Sequence, residues 1–262
     1  MSRTAWTREQ TIVALALYCQ IPFGRIYTSN TEIEKIARII NRTPSALAMK
    51  MLNISSLDPA IRKSGRSGLG NASGLDRQIW EEFHNDWESA IAQADEIIGL
   101  DKLLDDETAE ADYHAEDSTT TVKTRKKQSF FRNAVLSSYG EICCISGVSY
   151  APLLVASHIK PWRTDHANRL NPQNGLCLSI LYDKVFDLGL ITLDPDYKVV
   201  VSRKLVDECS DEFSERNLHA IHGIEIRRPE RFYPVKESLG VSKSPHHHLF
   251  PFFQHIRRHR LL

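Results

Sequence analysis

Residues 153 to 191, "LLVASHIKPWRTDHANRLNPQNGLCLSILYDKVFDLGLI", decide how the chain reads. The apolar run ending in His158 has the composition of a strand. Asn174-Gly175 makes a turn into a second short strand, and "LYDKVFDLGL" gives about two helical turns that stop at Gly189. Strand, loop, strand and helix follow, with His158, Asn174 and Asp183 spaced to converge. Each of the three has an ordinary reading: a satisfied strand-end histidine, a plain turn and a solvated helix residue.

Taken together at these intervals, "SHIKPW" followed by "NPQNGLCLSILYDKVFDLGL" resembles the HNH nucleases, which fold as a ββα-metal motif. The resemblance covers roughly 130 to 205, with the core motif at 143 to 191. It implies that His158 is the general base, that Asn174 holds the loop and orients that histidine, and that Asp183 on the helix ligates a divalent metal. The residue types suit those tasks. An imidazole titrates near neutrality, an amide can fix its tautomer, and a metal stabilises charge that proton transfer alone cannot. Two departures bear on the metal: Asp183 stands where the family usually has His, and Ser157 stands where many members have Asp or His. Oxygen ligands favour Mg²⁺ or Mn²⁺. Asp187, four residues after Asp183, shares its helical face and is either a further ligand or a helix brace, and Ser157 is a further candidate ligand. In the connecting loop Lys160, Trp162, Arg163 and Arg169 are candidates for DNA contact, with phosphate contacts steadying the substrate.

Outward from this motif, charge is uneven although the chain is neutral overall. Residues 1–92 carry 11 Lys+Arg and 9 Asp+Glu, residues 93–121 carry 1 and 10, and residues 122–262 carry 21 and 14. The acidic, Thr-tailed middle reads as a tether. The expected organisation is α+β: a helical domain over 1–94, a linker over 95–122 and the nuclease domain over 123–262, the two domains folding separately. The basic C-terminal part suggests a polyanionic partner.

In the N-terminal part, Thr7 and Gln10 form a capping-box pattern before "TIVALALYCQ", an all-round apolar and therefore buried helix. "SNTEIEKIARIIN" carries Ile33, Ile36, Ala37 and Ile40 at helical spacing, and Pro44 separates it from "SALAMKMLNISSLD". The arrangement fits a helix-turn-helix whose second helix brings Arg42, Lys50 and Asn53 to DNA, or a plain three-helix bundle. "RKSGRSGLGNASGLDR" is a basic, Gly/Ser-rich loop able to meet a DNA backbone, and Trp80, Phe83 and Trp87 form a core stripe.

Five cysteines (Cys19, Cys143, Cys144, Cys177, Cys209) lack a pair spacing and predict free thiols. The longest apolar run is too short to span a bilayer, so a soluble, cytoplasmic protein without a membrane partner is expected. "IHGIEIRRPERFYP" alternates like a strand, and "SPHHHLFPFFQHIRRHR" is a weak metal candidate. The expectation is a metal-dependent endonuclease on double-stranded DNA, of restriction type and open to modification dependence, acting as a homodimer because one such site cuts one strand. A catalytically silent DNA-binding regulator on the same scaffold and a homing or mobile-element nuclease remain alternatives.

Overall fold

A computed structural model describes residues 5–63, 65, 68–99, 119–162 and 164–240, with the backbone alone for 119–125. Most of the acidic tether and the histidine-rich C-terminal stretch lie outside the described residues. The N-terminal helices are α1 (Arg8–Gln20), α2 (Thr31–Ile39), α3 (Pro44–Ser55), α4 (Pro59–Lys63), α5 (Gly74–Asn85) and α6 (Trp87–Ile98). Then come α7 (Thr119–Ser138), the hairpin β1 (Leu154–His158) and β2 (Gly175–Ser179), α8 (Ile180–Asp187), a second hairpin β3 (Ile191–Leu193) and β4 (Val199–Val201), and α9 (Arg203–Glu208). This is the expected α+β chain. A short helix and π turn follow over Glu212–Ser214 and Glu215–His219.

The core is built around α1. Thr7 and Gln10 close the capping box that starts it, and every residue from Thr11 to Gln20 is buried. A helix apolar on all sides needs neighbours on all sides, and α3, α5, α6 and α7 supply them. The α2 stripe of Ile33, Ile36 and Ala37 is fully buried, and Asn30 caps that helix. Thr43 caps α3, with Pro44 at its first turn where no amide hydrogen is needed.

α7 belongs to both halves: one side packs on α1 and the other on β1 and β2. The buried apolar residues form one cluster from Ile12 to Leu239. Polar contacts cross the same seam. Ser137 Oγ donates to the Cys19 carbonyl at 2.7 Å, and Arg25 makes a two-pronged pair with Glu141 at 3.0 and 2.9 Å. Arg231, fully buried, donates to the Tyr18 carbonyl and to Ser137 Oγ, the latter at 3.0 Å. Separately packed halves are therefore not what forms: α1 offers more apolar surface than the N-terminal helices cover, and α7 covers the remainder.

Two further expectations change. The segment 221–234 forms no strand, only an isolated bridge from Glu225 to Lys198. Its alternation instead serves burial of Ile226, Arg231 and Phe232. β3 and β4, not foreseen, extend the region beyond α8.

Candidate active site

β1 and β2 are antiparallel, with His158 opposite Gly175, Ser157 opposite Leu176 and Leu154 opposite Ser179. The chain turns straight from Ser179 into α8, which packs on both strands. Helix termination uses Leu188 as C-cap and Gly189 at φ 67°, the left-handed position that glycine takes without cost. Strand, loop, strand and helix thus form the ββα unit expected from the sequence.

Gly175 explains how the hairpin meets α7. A Cβ there would lie 2.3 Å from Val135 Cγ2 and 3.0 Å from Phe131 Cζ, so only glycine lets the helix approach. His158, across from it, faces the same way. Its ring stacks on Phe131 with centroids 3.8 Å apart and planes 9° apart, and Trp162 meets it edge-on at 5.4 Å. His158 Nε2 lies 3.0 Å from the Arg169 carbonyl. A carbonyl only accepts, so Nε2 carries the hydrogen and Nδ1 is the basic nitrogen of the neutral ring.

The loop presenting that carbonyl is tied down by Asn174, itself buried. Asn174 Oδ1 accepts from Lys160 N at 2.8 Å, while Nδ2 donates to the carbonyls of Lys160 and Asn168 at 3.2 and 3.3 Å. The Asn174 carbonyl accepts from Ile159 N at 2.8 Å. One side chain therefore grips the chain just after His158 and just before Arg169. Sequence reasoning missed Asp165, whose carboxylate takes the Asn168 amide at 3.0 and 2.9 Å and stiffens the same loop. The acidic residue at a loop bend was the available signal. Phe131, the stacking partner, was likewise not singled out by the sequence.

The remaining site residues divide. Ser157 is buried, and its Oγ has no hydrogen-bond partner. Strand alternation turns it to the face opposite His158, so the hairpin does not bring the two together. Asp183, half-buried, and Asp187, exposed, lie on one side of α8. No group of three or more His, Cys, Asp or Glu side chains suited to a metal occurs among the described residues. A hard cation of the Mg²⁺ kind does not require one, since it takes one or two carboxylates and fills its shell with water and phosphate oxygens. Asp183 and Asp187 have the oxygen chemistry such an ion takes, whereas the enclosed Ser157 oxygen, turned away from His158, is not placed beside the base. All five cysteines are free thiols, and burial pushes Cys177 up to about 12, away from thiolate ligation.

Among the expected DNA contacts, Trp162 and Arg169 support each other: Arg169 Nε donates to the Trp162 carbonyl at 2.8 Å and its guanidinium lies 5.3 Å from the indole centroid. Lys160 is 3.9 Å from Asp165. Arg163 lies outside the described residues. Lys50 is a correction. It is buried, and its Nζ pairs with equally buried Asp76 at 2.6 Å, bracing α3 against α5. A buried ammonium needs such a partner. Arg42 is engaged with Gln10 at 2.7 Å and stacks 4.7 Å from the Trp6 ring, and Asn53 buries its Oδ1. The solvent face of α3 presents Ser45 and Met49 instead of cations.

A hairpin crossed by a helix, with a tautomer-fixed histidine at the hairpin's end, is the ββα arrangement that the sequence resemblance implied. Residues 143–194 match the family model described as HNH endonuclease, and the chain carries an HNH endonuclease domain over that span. No curated protein matches the chain. The domain implies DNA as substrate, and HNH nucleases in general depend on a divalent metal. No helix among the described residues is long and apolar enough to cross a membrane.

Proposed function

We propose that the protein is a metal-dependent DNA endonuclease of the restriction type, with His158 as its general base. The observation that carries this reading is the hydrogen bond from His158 Nε2 to the Arg169 carbonyl, which leaves Nδ1 as the proton acceptor. In the reaction Nδ1 takes a proton from a water whose oxygen attacks the scissile phosphorus, and the bond from phosphorus to the leaving oxygen breaks. As the imidazolium forms, the Arg169 carbonyl stabilises its Nε2–H and Phe131 holds the ring plane. Asn174 keeps that carbonyl in place through the neighbouring Asn168.

Asp183 would hold the divalent cation, with Asp187 as a further oxygen donor. Mg²⁺ or Mn²⁺ suits them, and the ion supplies charge neutralisation at the phosphate. Lys160, Trp162 and Arg169 line the loop beside the base, where a phosphate backbone would run. A double-strand break needs two such sites, and a homodimer provides them.

The test is incubation of the protein with unmodified and cytosine-modified plasmid in Mg²⁺, Mn²⁺ or EDTA. Nicking that requires metal and vanishes in His158→Ala supports the reading. Equal cutting by that variant removes His158 from the chemistry, and equal cutting in EDTA removes the metal.

A further inference from the structure

The N-terminal helices enclose a groove of about 620 Å³ that the nuclease reading does not use. Its size lies within the roughly 300–1,000 Å³ usual for small-molecule and cofactor sites. Arg62, Arg77, Trp80 and Glu81 line it, with Gly68 and Gly70 from the loop before α5. Arg77, Trp80 and Glu81 are three and four apart on α5 and share one face.

Three features mark the groove as built for an anionic, flat ligand. First, the wall is held against α3 at Gly68 and Leu69. Leu69 N donates to the Leu52 carbonyl at 3.1 Å, and a Cβ on Gly68 would sit 2.4 Å from Ser55 Oγ and 2.5 Å from the Leu52 oxygen. Second, its charges are uncommitted. Arg77 and Glu81 stand where an i,i+4 pair would form, yet neither has a polar partner among the described residues. Among the described residues Arg62 reaches only the Leu57 carbonyl, at 3.5 Å. The sole acidic residue in 62–77, Asp76, is buried against Lys50, so it does not offset the cations at the rim. Third, the indole of Trp80 is held in place by His84 at 4.3 Å, Tyr18 at 6.3 Å and Phe232 at 6.3 Å.

We infer that this groove is a second DNA contact, in which Arg62 and Arg77 take backbone phosphates and one nucleobase enters against Trp80. Guanidinium forks suit phosphate oxygens, a fixed indole suits a base face, and the Glu81 carboxylate accepts from an exocyclic amine. The inference rests on the nuclease reading for its choice of DNA. It moves the N-terminal DNA contact from α3, whose Lys50 is buried, to the loop and helix on the other side of Asp76.

The experiment uses the full-length chain with His158→Ala, so that DNA is bound without being cut, and measures anisotropy of a labelled duplex across a salt series. Adding Arg62→Ala and Arg77→Ala should weaken binding by about tenfold or more and make the logarithmic salt dependence shallower by about two, one for each lost phosphate contact. Both side chains are exposed, so the melting temperature should not move, which separates lost contact from lost fold. Glu81→Gln should leave the salt slope unchanged while altering preference among bases at one position. Equal affinity and slope with and without the two arginines overturns the groove and leaves the nuclease reading standing. A His158→Ala chain that binds no DNA at all overturns both.

Discussion

His84 and His158 are built alike and placed differently. Each ring leans on an aromatic side chain and gives one nitrogen to a backbone carbonyl. His84 Nδ1 bonds the Trp80 carbonyl of its own helix at 2.7 Å, whereas His158 Nε2 bonds a carbonyl eleven residues away, across a loop. His84 is further surrounded by Trp87 at 5.5 Å and Phe232 at 6.4 Å. Burial holds its pKa below the ordinary imidazole value, with the Trp80 carbonyl and Asp58 opposing the shift. His158 has instead a loop clamped by Asn174, with Phe131 of α7 stacked on its ring. A carbonyl partner fixes a tautomer in either place. The difference on which the base reading of His158 rests is that its partner comes from a braced loop, not from the histidine's own helix in the core.

The comparison breaks most sharply at the histidines themselves. His158→Ala should slow nicking on the order of 10²–10⁴-fold, measured as plasmid relaxation at saturating metal. His84→Gln should leave nicking largely in place and act on stability. If His84→Gln abolishes cutting while His158→Ala does not, the two roles are reversed.

The next effect concerns the buried ion pair that stands where a DNA contact was expected. Lys50→Met leaves Asp76 as an uncompensated buried carboxylate, which should lower unfolding free energy by about 3–5 kcal/mol in urea titration. Adding Asp76→Asn should return part of that loss. A Lys50→Met chain as stable as the parent would free Lys50 for another task.

Asn174→Ala removes the amide that grips Lys160 and Asn168, leaving buried backbone groups unmatched. The expected cost is about 1–3 kcal/mol, together with slower nicking because the Arg169 carbonyl is no longer held. Loss of stability without any loss of rate would reduce Asn174 to a plain turn residue.

The smallest effect is that of pH. Because the folded pKa of His84 is lowered, the unfolded chain binds the proton more readily. Stability from this group is therefore full above the unfolded value near 6.5 and falls as pH drops from there toward the lowered folded value. Urea midpoints at pH about 7.5 and about 5.5 should differ less in His84→Gln than in the parent.

Much of this was legible beforehand because it depends on neighbours in sequence. The capping box of Thr7 and Gln10, the buried α1, the stripe of Ile33, Ile36 and Ala37, and the order of strands and helix around His158 and Gly189 are local patterns of period and turn chemistry. The HNH resemblance rested on intervals that the same local order fixes. The exposure of α3 was not legible: an amphipathic helix shows which residues share a face, but not whether an Asp twenty-six residues on will bury its lysine.

By itself the sequence determined the ββα order, the catalytic candidates His158, Asn174 and Asp183, and the free thiols, since spacing and residue type suffice for these. Only the tertiary structure decided that α7 joins both halves in one core, that Phe131 stacks on His158 and Gly175 must lack a side chain, and that Lys50 faces inward. Each of these depends on which surfaces meet at a distance along the chain. Burial of apolar area and pairing of buried charge select that meeting, and neither is written into a local stretch of residues.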